Sequence, residues 1–288
     1  MSRIISALTQ QEQLNFLLTN RIPRRWATQF VGWFSKIENP YVTRASLFLW
    51  RLFASDLDLT EAKKQNFTSL HDCFIRELKP GARKIDDHPQ VVSSPCDAIV
   101  GACGRVNNGT VFQAKGFPYE ISDLIPDKAL QKKYQNGVYV TLRLTSTMYH
   151  RFHAPLDCEV KKITYISGDT WNVNPIALKR IENLYCKNER AVMELHTGHE
   201  EASMTLVPVA AILVASIKLH CLDESLDMKY QGPNVLNVQT GFNKGDEMGY
   251  FQHGSTIIVF ASEHYSIAPD ITSDKRINMG QALFTHEL

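Results

Sequence analysis

From Trp26 onward, apolar side chains recur at Phe30, Trp33, Phe34 and Ile37, the spacing that lines one face of a helix. A second run, Ala45 to Phe53, carries Leu47, Phe48, Leu49, Trp50, Leu52 and Phe53. It also predicts a helix, one greasier than a single buried stripe requires. Beyond Asn66 the period changes. Val91–Val92, Ala98–Val100, Gly137–Leu144, Glu159–Ile166, Ala191–Leu195, Met204–Ile217 and Thr256–Ala261 are short and rich in β-branched residues, with Gly, Asn, Asp or Pro between them. That texture predicts strands. The most apolar stretch, Leu206 to Ile217, reads as buried strand even though it contains Pro208. Two helices are expected among the strands, near Ile121–Tyr134 and Ile176–Leu184. The fold class that follows is α+β: a β-rich barrel or sandwich core with inserted helices, behind an N-terminal helical segment. The division falls at an amphipathic helical region over 1–66 and a β-rich domain over 67–288.

Composition narrows the functional classes. With 288 residues, 44% hydrophobic and 21% charged, the chain can build a sizeable core. Lys+Arg at 31 against Asp+Glu at 30 leaves a net charge of +1, so no global field attracts nucleic acid. Six cysteines without a C-x-x-C pair argue for free thiols in a reducing compartment. No run reaches the ~18 apolar residues of a spanning helix. The first residues lack the apolar centre of a secretory signal, so retention in the cytoplasm is expected. Charge is nonetheless uneven. Residues 1–50 carry Arg3, Arg21, Arg24, Arg25, Lys36 and Arg44 against Glu12 and Glu38, together with Trp26, Trp33 and Trp50. Two readings stand for these helices: core packing, or an interfacial anchor with Trp and Arg at the lipid headgroups.

Three segments could carry chemistry. In Tyr149-His150-Arg151-Phe152-His153 two histidines follow a strand, and a zinc site would need a third ligand from Asp97, His196 or His199. Asp97 opens a strand, where it can cap backbone amides or orient a histidine. Gly254-Ser255 is the one Gly-Ser pair of the chain and leads straight into the strand Thr256–Ala261. There is no G-x-S-x-G elbow, no G-x-G-x-x-G and no P-loop, which disfavours α/β-hydrolase and nucleotide-binding folds.

Asp97, His153 and Ser255 together supply an acid, a base and a hydroxyl. Around them run Phe74–Arg83, Pro95–Asp97, Gln113–Gly116, Tyr149–His153, Val173–Pro175, Asn188–Arg190, Lys244–Phe251, Gly254–Thr256 and Met279–Gln281. This ordered set resembles the phosphatidylserine decarboxylase proenzymes of bacteria and mitochondria, across nearly the whole chain. The resemblance implies that Ser255 attacks the carbonyl of Gly254, with His153 as base and Asp97 holding the imidazole. The chain would separate into fragments 1–254 and 255–288 that stay associated, and Ser255 would become a covalent pyruvoyl cofactor. That group would form a Schiff base with phosphatidylserine and decarboxylate it to phosphatidylethanolamine, without a metal. His150 is then the candidate acid of the later phase. The resemblance further implies a homodimer, bound peripherally to anionic membranes at the cytoplasmic face of the cell membrane. Lys115 is a candidate phosphate partner on charge alone. One departure stands out: His253 occupies the position before the scissile glycine, where such enzymes usually have Leu. A zinc-dependent hydrolase using His150 and His153, and a non-catalytic lipid-binding protein, are the rival readings.

Overall fold

The computed structural model describes residues 13, 16, 17, 20, 23–54, 56–114, 117–198, 203–212, 216–252 and 255–286. Its centre is an eight-stranded antiparallel sheet. The order runs β12 (Val235–Phe242), β7 (Cys158–Ile166), β8 (Arg190–His196), β9 (Met204–Ala210), β14 (Ser255–Ala261), β5 (Val138–Leu144), β2 (Ala98–Arg105) and β16 (Arg276–Ile277). A four-stranded sheet follows the order β11 (Leu226–Asp227), β10 (Ser216–Leu219), β13 (Glu247–Phe251), β6 (Arg151–His153). A three-stranded sheet joins β1 (Val91–Ser93), β17 (Ala282–His286) and β15 (Tyr265–Ile267), and β3 (Thr110–Ala114) pairs with β4 (Phe117–Glu120).

Side chains alternate across a strand, and both faces of the large sheet are covered. From β14, Ile257, Val259 and Ala261 pack with Phe152, Met248, Phe251 and Phe284 of the smaller sheets. Ile258 and Phe260 point the other way, onto α4 (Ile121–Leu124), α5 (Lys128–Tyr134), α6 (Pro175–Leu178) and α7 (Leu184–Lys187). One face is therefore a β-sandwich and the other a helical layer. The barrel alternative is corrected: the large sheet is open, with β12 and β16 at its edges.

The departures from the predicted elements have local causes. The expected helix over 121–134 is two, because Pro126 excludes its predecessor from helical geometry and Asp127 caps a fresh start, accepting from Ala129 N at 2.8 Å. Over 176–184 the helix is likewise broken, with Asn183 left-handed at φ 52° before α7. Pro208 sits in a central strand because the β8–β9 pairing is interrupted between Leu206 and Val209, with the register kept, where its missing N–H would have been needed. All six cysteines are free thiols.

Both N-terminal helices are present, as α1 (Arg24–Ser35) and α2 (Pro40–Phe53), with α3 (Leu70–Phe74) following. Their polar sides face the body. Thr28, Ser35 and Thr43 are buried, Arg24 meets Asp169 at 2.6 Å and lies 3.6 Å over Trp171, and Thr43 donates to Thr68 O. Their aromatic sides face outward: Trp26 is 78% exposed and Phe48 68%, with Phe30, Trp33 and Phe53 alongside. This inverts the pattern of a helix packed on a soluble core. Among the described residues no helix is long and apolar enough to cross a membrane.

Candidate active site

Three distant segments are stitched together by backbone hydrogen bonds. His153 N donates to Pro95 O at 2.8 Å, and Ser93 N to Pro155 O at 2.9 Å, laying the Pro95–Asp97 segment beside β6. On the other side β6 pairs with β13, Glu247 opposite His153, and Phe251 N donates to His150 O at 3.0 Å. A turn at Gly245 closes the group. Gly245 has φ +91°, the left-handed region that favours glycine, and it faces the Ile85 side chain. That turn aims Gly245 O at the His153 ring.

The hydrogen bonds of His153 fix its tautomer. Nδ1 lies 2.8 Å from Gly245 O, which can only accept, so Nδ1 carries the proton. Nε2 keeps its lone pair and, at 2.9 Å, accepts from the Tyr149 hydroxyl. Burial lowers the His153 pKa below the usual histidine value, while Asp97 acts coulombically to raise it. The ring is thus neutral, oriented, and basic at Nε2. His150 follows the same rule: Nδ1 is 2.8 Å from Met148 O, and the buried ring lies 4.0 Å, centroid to centroid, from that of Phe74.

Asp97 is 2% exposed and bound elsewhere. Arg83 grips it with Nε at 2.8 and 3.1 Å and Nη2 at 2.6 Å, and Met279 N adds a donor at 2.9 Å. The second arm of Arg83 reaches Glu61 at 2.8 Å. The Asp97 hydrogen bonds raise the Arg83 pKa above its usual value. The orienting contact on His153 therefore comes from Gly245, not from Asp97, although the two side chains share one corner of the fold.

Ser255 begins β14, between Ala210 of β9 and Leu144 of β5. Its parity with Ile257 and Val259 turns it toward the face covered by β6 and β13. It is wholly buried, and its Oγ has no hydrogen-bond partner among the described residues. Gly254, His253, Lys115 and His199 lie outside the described residues. His196 stands on β8 by Glu194, at 3.9 Å, and among the described residues no three His, Cys, Asp or Glu side chains gather as a metal would need.

Sequence reasoning passed over Arg83 and Tyr149, both inside segments it had singled out. A buried carboxylate demands a cation or several donors, which would have pointed to Arg83 had the burial of Asp97 been known. Tyr149 carried no such signal, because its hydroxyl finds His153 only through the turn into β6.

A family model described as phosphatidylserine decarboxylase matches residues 70–285. The chain is similar to the phosphatidylserine decarboxylase proenzyme of Haemophilus influenzae, 32% identical over 277 residues, which cover 91% of this chain and 92% of that protein. It is similar also to the proenzyme of Shewanella woodyi, at 31% over 286 residues, 94% of this chain and 97% of its relative. The Pasteurella multocida proenzyme is 31% identical over 277 residues, 91% of each chain. With matches of this extent, the chain belongs to the phosphatidylserine decarboxylase family.

Proposed function

We propose that this chain cuts itself between Gly254 and Ser255 and then decarboxylates phosphatidylserine to phosphatidylethanolamine. The observation that carries the reading is Ser255 itself: a buried, orphaned hydroxyl opening a central strand, on the face closed by the strand of a neutral histidine. A ketone at that position would forfeit no hydrogen bond that the described residues give the hydroxyl, so the site fits a pyruvoyl group derived from the serine.

In the processing step His153 Nε2 exchanges the Tyr149 hydroxyl for that of Ser255 and takes its proton. Ser255 Oγ adds to the Gly254 carbonyl, His153 passes its proton to the Ser255 nitrogen as the peptide C–N bond breaks, and an ester forms. Loss of the Ser255 Cα proton breaks the Cβ–Oγ bond and expels Gly254 as a carboxylate. Water then displaces ammonia from the remaining dehydroalanine. Asp97, locked by Arg83, favours the imidazolium through its charge rather than by a direct bond. When formed, the pyruvoyl group supplies an electron sink that takes up the lipid's amine and accepts the electron pair left as carbon dioxide departs. His150, its Nδ1 proton committed to Met148 O and its ring packed beside Phe74, takes a proton at Nε2 from the lipid's ammonium and delivers it from there to the product carbon.

The strand order supports lasting association of the two fragments. β14 is hydrogen-bonded on both sides within the large sheet, and β16 and β17 pair with β2 and β1. The outward aromatic faces of α1 and α2 support peripheral seating on an anionic bilayer, at the cytoplasmic leaflet. Intact mass tests the reading. Purified protein should be two species, 1–254 and 255–288, the smaller one blocked to Edman chemistry, and Ser255→Ala should leave one chain. Uncut protein that still releases carbon dioxide from its lipid would overturn it.

A further inference from the structure

A cavity of about 250 Å³ lies between α1 and the β10–β11 hairpin, apart from the Asp97–His153 corner. We infer that it receives the phosphodiester of the lipid headgroup, gripped by Lys36 from one wall and Lys229 from the other. The inference rests on the proposed lipid substrate and adds where its charge is held.

Position is the first argument. One wall is formed by Thr28 and Gly32 of α1 with Lys36 at its C-cap, and the adjoining stripe of the helix is the exposed Trp26, Phe30 and Trp33. Trp33 also lines the cavity, so the mouth opens beside the aromatic face that would meet a bilayer. Gln252, buried, also lines the cavity, and its backbone N–H donates to Ser216 O at 3.2 Å. Two residues of chain lie between Gln252 and Ser255, so three Cα–Cα steps limit their Cα distance to ~11 Å. A headgroup held here is within reach of the serine position while its acyl chains stay outside.

Chemistry is the second. Among the described residues neither Lys36 nor Lys229 has a carboxylate ion-pair partner, although both line the same cavity. Ser216 is 4% exposed and lines it too, with an Oγ lacking any hydrogen-bond partner among the described residues. A buried hydroxyl without a partner is a donor awaiting an acceptor. One acid completes the lining: Asp227, its Oδ1 already accepting from Lys229 N at 2.7 Å. Two cations, a hydroxyl and one carboxylate complement a headgroup that carries a phosphodiester, a carboxylate and an ammonium.

The test uses the uncut Ser255→Ala protein, which binds without turning over. Glycerophosphoserine, the headgroup without acyl chains, is titrated by calorimetry against this parent, Lys36→Ala, Lys229→Ala, the double variant and the Lys→Arg counterparts. Each alanine should weaken binding about tenfold, as expected for losing a charge-assisted hydrogen bond, and arginine should restore most of it. Gly32→Leu, which fills the cavity, should weaken it as well. In the processed enzyme the double variant should raise KM for soluble dihexanoyl phosphatidylserine while kcat and self-cleavage hold. No binding by the parent, or unchanged affinity in the double variant, would overturn the assignment. So would inorganic phosphate binding as tightly as glycerophosphoserine, which would mark a free-phosphate site. Loss of vesicle sedimentation with headgroup affinity intact would reduce the lysines to membrane contacts. Processing is scored separately by intact mass, so failure of the pyruvoyl reading is visible on its own.

Discussion

Replacing Arg83 by methionine isolates the contribution of the Asp97 lock. The substitution removes three N–H···O contacts, at 2.8, 3.1 and 2.6 Å, from a carboxylate that is 2% exposed. What remains is one backbone donor, Met279 N at 2.9 Å. Breaking a buried pair from one side typically costs about 3–5 kcal/mol, because the surviving charge stays desolvated. Removing both partners is far milder, since an apolar pair of similar volume often breaks even. Urea denaturation of the uncut Ser255→Ala background should therefore show Arg83→Met well below its parent, and Arg83→Met with Asp97→Leu recovering most of the loss. The coupling from the cycle should be at least about 2 kcal/mol. With Ser255 present, Arg83→Met should also slow self-cleavage, because the charge that favours the imidazolium is no longer held in place. Simple additivity of the two substitutions, with a coupling inside the ~0.5 kcal/mol expected of independent sites, would refute the reasoning.

Burial depresses the His153 pKa, so the ring stays neutral as pH falls through 6.5. Self-cleavage of freshly translated precursor should hold its rate there and fail only at lower pH, whereas a decline centred on the ordinary histidine value would contradict the buried-base geometry. Stability follows the same sign: the unfolded chain protonates first, so His153 costs stability as pH drops from 6.5 toward its folded value. Glu189 works in the opposite direction. Burial pushes its carboxyl up to about 7 from 4.5, so the native state holds a proton that the unfolded chain has lost, and stability falls as pH rises through that window. Glu189→Gln should remove up to ~3 kcal/mol of that loss, read as a urea midpoint that no longer drops between pH 5 and 8; parallel curves for the two proteins would be the contrary result. Trp26→Ala and Trp33→Ala should each weaken sedimentation with phosphatidylserine vesicles about tenfold or more, from the ~1.5–3 kcal/mol of burying a large apolar side chain, with melting unchanged.

Much of the core was legible because β5 and β14 are buried on both faces and β7 alternates buried with more exposed positions. Gly137–Leu144, Glu159–Ile166 and Thr256–Ala261 are β-branched runs with clear punctuation, and each became a strand within a residue or so of its expected ends. The short strands β6, β13 and β17 were invisible as strands, since three to five residues cannot display a period and their pairing is wholly non-local. β12 alternates half-buried and exposed positions along its whole length, but with Asn, Gln and Thr interspersed it carried too little apolar signal. At the site, residue types were readable and partnerships were not. Nothing in the spacing of Asp97, His153 and Arg83 says that the arginine takes the carboxylate and that a glycine carbonyl takes the imidazole. Those choices depend on which backbone turns pass within 3 Å, a property of the assembled sheets.

The N-terminal helices do more than carry an aromatic surface. Trp50 of α2 stacks on Phe74 at 5.9 Å, and the Phe74 ring packs at a 34° tilt against His150 at 4.0 Å, so a helix with Phe48, Leu49 and Phe53 in solvent is two rings away from a candidate proton donor. α1 walls the proposed headgroup cavity in the same way. Excising residues 1–50 would therefore remove the exposed aromatic face, the stacking support of Phe74 and one side of that cavity in a single stroke. A truncated protein that lost activity could not be assigned to any one of them. Substituting the outward residues alone separates these effects, because Trp26, Phe30 and Phe48 are exposed while Trp50 and Phe74 form the stack. On this geometry the surface proposed to meet the lipid and the chamber proposed to hold its headgroup share α1, and the apolar–polar inversion of that helix is what would let it serve both.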